Sequence, residues 1–274
     1  MRRVGRRVLA GVLVALLAAA TIAPFLYMIA TALMDEFEVL RYPPPLLPAR
    51  PHPENFAVAL TALPFGRFFL NTAIVAACVV VGQVATSAMA AYAFARLRFP
   101  GRDRVFFLYL SVLVVPVVVL LVPRFLIINA LGWVDSYTGL ISTELVSVWG
   151  IFLLRQCFLT IPRDLEDAAR LDGAGEWTVF WRVVLPLSKP ALATLAVIAF
   201  ADQWKSFLWP LIATRSAEMS MVEVGIASFH GLYSTNWPYQ MAVAVTAVVP
   251  LLVFYFVAQK YFIRGIELTG PKPK

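Results

Sequence analysis

Apolar residues along this chain gather into long blocks separated by short charged breaks. Six blocks, at about 8–34, 68–95, 105–128, 138–154, 190–213 and 239–262, reach or approach the length that spans a hydrocarbon core. Each is expected to be helical, because lipid offers backbone amides no partner outside the segment. The fourth block is the weakest, interrupted by Glu144 and cut short by Arg155. Pro24 lies within the first, where a bundle of neighbouring helices tolerates it. The expected architecture is a single all-α transmembrane domain over 1–274, with a long polar loop at 155–189 and outer loops at 35–67 and 214–238.

Composition agrees with that pattern. The chain is 61% hydrophobic and only 14% charged, against roughly a quarter charged in soluble domains. Its net charge of +7 has a topological meaning, since cytoplasmic loops collect Lys and Arg. Seventeen basic residues fall at the two termini and in the loops after blocks two and four: Arg2, Arg3, Arg6 and Arg7, then Arg96, Arg98, Arg102 and Arg104, then Arg155, Arg163, Arg170, Arg182 and Lys189, then Lys260, Arg264, Lys272 and Lys274. Five (Arg41, Arg50, Arg67, Arg124, Arg215) fall on the other side and Lys205 inside a block, so both termini are expected in the cytoplasm. The basic surplus points to anionic lipid and away from a nucleic-acid partner. The amino terminus imitates a signal peptide, but its apolar run of about 27 residues exceeds a cleavable core, so it reads as a retained span. Cys78 and Cys157 read as small packers.

The outer segment 35–67 holds seven prolines, which forbid helix and favour an extended connector, or else a surface for an outer partner. The second outer loop contains His230, Tyr233 and Trp237 and has the same two readings. With His52 and His230 the only histidines, no metal site is expected. A nucleophile–base constellation is equally lacking, so neither catalytic residues nor an enzyme is expected.

The polar loop 155–189 carries the strongest signal. Thr160 and Pro162 read as a helix start, with Asp164, Glu166 and Asp167 in the turns where the helix dipole favours negative charge. Leu165, Ala168, Ala169 and Asp172 recur at helical spacing and give a face of small residues. Gly173 ends that helix, since glycine takes the left-handed conformation of a helix stop. A second helical stretch, Glu176 to Leu185, is expected to end before Pro186. By shape alone this is a short helix, a turn and another helix close to the membrane.

The string is more specific than the shape. DAARLDGA, then nine residues counted from Gly173, then VVLP resembles the cytoplasmic signature of ATP-binding-cassette importer permeases, Glu-Ala-Ala-x3-Gly-x9-Ile-x-Leu-Pro. Asp167, Ala168, Ala169, Gly173, Val183, Leu185 and Pro186 fill it, with Asp167 in place of Glu and Val183 in place of Ile. The flanks FLLRQCFLTIP, PLSKPAL, WKSFLWPL, LPFGRFFLNT and QKYFIRGI resemble the maltose-type, binding-protein-dependent carbohydrate permeases. The resemblance implies that Asp167, Ala168, Ala169, Asp172, Gly173, Ala174, Leu185 and Pro186 couple the spans to a separate ATPase. It also implies two related permeases in a heterodimer, two ATPase subunits and an extracytoplasmic solute-binding protein, in a prokaryotic cytoplasmic membrane. The chain has no phosphate loop of the G-x-x-x-x-G-K kind, so ATP and Mg would be used by the partner and no cofactor by this chain. The implied solute is a sugar or sugar-like molecule: an oligosaccharide, an amino sugar or a glycerol phosphate.

Charges within spans are expensive and hence functional candidates. Asp202 and Lys205, near Trp204 and Trp209, could line the solute path, with Trp204 offering an apolar face to a sugar ring; alternatively Asp202 and Lys205 neutralise each other. Glu144 is a third candidate, or is simply hydrated near the outer surface. The competing class is an ion-gradient-driven secondary transporter using Asp202, Lys205 and Glu144, although no internal repeat is evident.

Overall fold

The computed structural model describes residues 2–231 and 235–269, with side chains over 9–231 and 235–259. Tyr233, Lys272 and Lys274, and the side chains of Arg2, Arg3, Arg6, Arg7, Lys260 and Arg264, lie outside the described residues. In chain order the helices are α1 (Arg2–Ala32), α2 (Glu36–Val39), α3 (Glu54–Ala62), α4 (Phe65–Arg96), α5 (Arg102–Leu110), α6 (Val117–Ala130), α7 (Tyr137–Ser142), α8 (Val148–Thr160), α9 (Arg163–Leu171), α10 (Glu176–Val179), α11 (Leu185–Leu187), α12 (Lys189–Trp204), α13 (Leu208–Ala213), α14 (Val222–Ala227) and α15 (Trp237–Thr269). The architecture is all-helical among the described residues, apart from one isolated bridge between His230 and Thr235.

Among the described residues three helical stretches are long and apolar enough to cross a membrane, Leu9–Ala32, Phe65–Arg96 and Trp237–Gln259, and the number rises to five if each of two bent pairs is one span. The expected third span is one such pair, Arg102–Val114 and Val117–Ala130, bent by 101°. The bend falls at Val115 and Pro116, where the extended backbone before α6 interrupts the helical ladder. The second pair, Glu176–Leu187 with Lys189–Trp204, bends by 77°. The expected fourth span is divided: α7 ends at Ser142, and α8, capped by the Ser147 hydroxyl, runs only 13 residues.

The chain falls into two compact units, 1–66 with 224–250, and 67–223 with 251–274. In the first, the proline-rich segment is not free of helix as expected. Its prolines bound the helices instead of preventing them: α3 starts directly after Pro53 and ends before Pro64. The Asn55 amide donates to the carbonyls of Ala32 (3.0 Å) and Met34 (2.9 Å), fastening α3 to the end of α1. Beyond that attachment α1 is apolar and exposed; Leu9, Val14 and Leu17 are each at least 60% accessible. Such a surface suits lipid, where exposed apolar side chains carry no penalty.

Among the described residues the second unit contains two apolar clusters. One joins α4 (Ala88, Ala91, Tyr92), α8 (Leu154, Phe158), α10 and the following turn (Val179, Phe180, Val184) and α12 (Leu195). Gly150 permits this closeness, because a Cβ there would lie 2.7 Å from the Ser87 hydroxyl and 2.8 Å from Leu195. Small residues serve helix contacts in membranes in this way. The other cluster joins Val75 and Val79 of α4 to Leu121 and Ile128 of α6, Leu140 of α7 and Trp209 of α13. Cys78 is exposed and Cys157 half-buried, both as free thiols.

Candidate functional site

The loop 155–189 forms the helix pair that its pattern predicts, with three local differences. Pro162 precedes α9 and does not occupy its first turn, and the Thr160 hydroxyl turns back to the Cys157 carbonyl (2.7 Å) instead of capping α9. The second stretch does not end before Pro186 either. After α10 it widens into a π-helical turn, Phe180–Val184, and continues through α11 with Pro186 inside it. The widening is what admits the proline: its ring clashes with a regular helical carbonyl, and here the Leu185 amide bonds back to Phe180.

At the end of α9 Gly173 has φ +86°, the left-handed region. The Gly173 amide bonds the Arg170 carbonyl (3.0 Å) and the Ala174 amide the Ala169 carbonyl (2.9 Å), which is the paired closure of a Schellman stop. A Cβ on Gly173 would meet no other atom of the chain, so that corner opens outward.

The sequence reading placed the signature carboxylate at Asp167. The structure gives the buried position to its neighbour. Glu166 is 2% exposed and pairs with Arg96 Nε at 2.8 Å; Asp167 is 65% exposed and pairs with Arg170 (3.0 Å). Arg96, at the end of α4, also donates from Nη2 to the carbonyls of Phe158 and Ile161, both at 2.6 Å. One guanidinium thus closes the end of α8 and holds α9. Arg170 continues the chain of charges to Glu166 (3.4 Å) and Glu176 (3.1 Å), and Glu176 accepts from the Tyr92 hydroxyl (2.6 Å). The Tyr92 hydroxyl and the Arg170 guanidinium hold the Glu176 carboxyl below its ordinary range, and the same partnership raises Arg170. Helix α9 is therefore held to α4 directly by the Glu166–Arg96 pair, and its last turn reaches Tyr92 of α4 through Glu176. Its other face is open: Leu165, Ala168, Leu171 and Asp172 are exposed, Leu171 by 89%. Ala169 and Ala174 pack inward.

Sequence reasoning missed Glu166, Arg96, Arg170, Glu176 and Tyr92. The pair Glu166 and Ala169, three residues apart, was the signal that could have marked the inward face.

The span candidates separate. Among the described residues no ion pair joins Asp202 to Lys205, and both are exposed. Asp202 borders a cavity of about 260 Å³ with Gln83, Ser147 and Trp149. Lys205 borders another, of about 330 Å³, with Arg124, Glu144, Ser206 and Trp209. Glu144 is not merely hydrated: it pairs with Arg124, whose guanidinium lies 4.0 Å from the Trp209 ring and also bonds the Thr143 hydroxyl (2.7 Å). Gln203 reaches the free carboxylate oxygen of Glu144 at 3.4 Å. Trp204 and Trp209 are 4% exposed, so neither offers an open face to a sugar ring in this arrangement. Lys205 also exerts its field on Glu223 of α14, whose carboxyl burial raises and Lys205 draws down.

His52 pairs with Glu54 (2.7 Å) and His230 with Thr235 (3.2 Å). No cluster of potential metal ligands occurs among the described residues.

Comparison with known proteins agrees with this geometry. Residues 83–268 match the model of the binding-protein-dependent transport system inner membrane component. The chain is 37% identical over 243 residues to the sn-glycerol-3-phosphate transport system permease protein UgpE of Yersinia pestis bv. Antiqua, covering 86% of each. It is 36% identical over 206 residues to the arabinooligosaccharides transport system permease protein AraQ of Bacillus subtilis, covering 75% of this chain and 73% of that one. In fold it is similar to a chain of a bacterial ABC transporter involved in the import of alginate, with a TM-score of 0.80 at 23% identity over 93% of this chain and 95% of the other. These relationships favour an ATP-driven importer over the ion-gradient-driven carrier. The chain belongs to the family of binding-protein-dependent transport system inner membrane components, the permease subunits of ATP-binding-cassette importers.

Proposed function

We propose that this chain forms half of a heterodimeric pore, paired with a second related permease, driven by two ATPase subunits and fed by an extracytoplasmic binding protein. Both termini and the loop 155–189 face the cytoplasm, as the distribution of Lys and Arg requires. ATP and Mg are used by the ATPase subunits. The solute is an oligosaccharide, an amino sugar or a glycerol phosphate, as the names of the relatives suggest.

The observation that carries this reading is the clamp on α9. A helix held by a buried ion pair on one side and bare on the other can receive force from a docked protein and pass it on without bending. Arg96 stands at the receiving end, on the last turn of α4, so displacement of α9 is delivered to a membrane-spanning helix. Asp167, Ala168, Asp172 and Gly173 then act as the docking surface and its turn, backed by the inward-packed Ala169 and Ala174, with Leu185 and Pro186 supporting the second helix. Closure of the ATPase pair on ATP moves α9, opens the path toward the binding protein, and hydrolysis resets it.

Purification of the tagged chain from its native membrane in mild detergent tests the assignment. An ATPase in stoichiometric amount, lost in Gly173→Asp, is expected. A chain that purifies alone and moves solute in vesicles without ATP would overturn the proposal.

A further inference from the structure

Beside the clamp lies an open groove of about 880 Å³, formed by the connection from α4 to α5 and by the first residue of α9. Its lining holds four arginines, Arg98, Arg102, Arg104 and Arg163, with Asp103 the single acid. That acid is already engaged, at 3.2 Å from Arg102 and 3.2 Å from Arg155. Arg98, Arg104 and Arg163 are exposed and have no ion-pair partner among the described residues. Such a concentration of unpaired like charge at one opening attracts an anion.

The surroundings say which anion. The groove lies where α4 ends and α5 begins, and both helices belong to candidate spans. Next to it α5 presents Val105, Phe107 and Leu108, exposed by 49%, 69% and 73%. A basic opening at the level where a lipid-facing helix starts has the two halves a phospholipid requires, charge for the phosphate and an apolar wall for the acyl chains. A soluble anion would use only the first half. Basic pockets between spans are a recurrent way of holding acidic headgroups.

We propose that this groove is a binding site for an acidic phospholipid, whose phosphate bridges Arg98 of the connection and Arg104 of α5 to Arg163 of α9. The lipid ties the start of the coupling helix to the membrane surface, independently of the Arg96–Glu166 pair. It thereby makes the position of α9 sensitive to the lipid around the protein. The site does not depend on which solute is carried, nor on the identity of the ATPase.

The test is lipid binding to the purified protein, with whatever subunits accompany it, after delipidation in detergent. Phosphatidylglycerol and phosphatidylcholine of identical acyl chains are titrated and bound lipid is counted by native mass spectrometry. We expect phosphatidylglycerol to be held in preference to phosphatidylcholine. The R98Q/R104Q/R163Q variant should bind it on the order of a hundredfold more weakly, and each single substitution about fivefold, whereas R41Q/R50Q in the outer segment should not change it. The single variants keep the test decisive if the triple variant does not fold. Equal retention of the two lipids, or undiminished phosphatidylglycerol binding in the single variants, would overturn the proposal. So would displacement of the lipid by inorganic phosphate alone, which would mark a site for soluble anions. Loss of the ATPase from the variants with lipid binding unchanged would assign the groove to a protein contact instead.

Discussion

Two adjacent carboxylates, Glu166 and Asp167, have opposite environments. Successive residues of a helix point about 100° apart, so one can be buried while the next is in water. Removing one partner of a buried pair leaves the other charge uncompensated. Glu166→Ala should therefore cost about 3–5 kcal/mol. Asp167→Ala removes only an exposed pair and should cost less than about 1 kcal/mol. Denaturant unfolding of the two purified variants checks the difference, and equal losses would remove Glu166 from its central position. A second residue gives a pH signature. Asp135, in the connection between α6 and α7, accepts from the amides of Arg215 (2.9 Å) and Ser216 (3.1 Å), and these bonds hold its carboxyl below the ordinary range. A lowered carboxyl stabilises the folded state above its unfolded pKa and loses that effect as pH falls through the lowered value. Protection of the Arg215 and Ser216 amides should be flat at neutral pH and fall only below about pH 4. In Asp135→Asn the fall should vanish, which hydrogen exchange at those two amides would record.

At the scale of elements, α9 depends on its stop. Gly173 at φ +86° is the one position in the turn that an L side chain strains, by roughly 1–2 kcal/mol. Gly173→Ala should thus loosen the end of α9 with modest loss of stability, and Gly173→Asp should in addition put a charge on the open corner. The expected result is an alanine variant that keeps most of its transport and an aspartate variant that loses transport together with the bound ATPase and its hydrolysis. Uptake and hydrolysis measured together in vesicles would show it; full uptake in the aspartate variant would remove the docking role. The existence of this helix and its glycine stop was legible in the chain, because capping chemistry is local. The clamp was not. Arg96 looks, in sequence, like one more basic residue after a span, and only its burial between α8 and α9 reveals its work. The π-helical turn was illegible for a related reason: Pro186 signals a break, and the neighbouring helices decide whether a widened turn can absorb it.

The whole molecule is arranged for surroundings that the chain alone does not supply. Its first helix is bare, its coupling helix has an open face, and Asp202 and Lys205 are exposed although they belong to an apolar block. A charge facing hydrocarbon would be costly, so these two side chains face water or a partner. Lys205, beside the Arg124–Glu144 pair, makes the surplus positive charge of its cavity. Lys205→Asn should weaken transport of an anionic solute about tenfold in KM and leave a neutral sugar unaffected. Competition between glycerol phosphate and an oligosaccharide in reconstituted vesicles would decide, and unchanged preference would make Lys205 structural.

The chain by itself determined what depends on local chemistry and on solvent. Apolar blocks of membrane length, the bias of basic residues and the glycine and proline punctuation of the coupling loop act within a few residues or against the bilayer, so they can be read in order. Tertiary structure decided what depends on distant partners. It chose Glu166 over Asp167 for the buried pair, gave Arg96 three contacts from two segments, bent the third block at Pro116 and paired Glu144 with Arg124. The two ion pairs are choices between side chains of equal local fitness, settled by which one the fold brings next to an opposite charge.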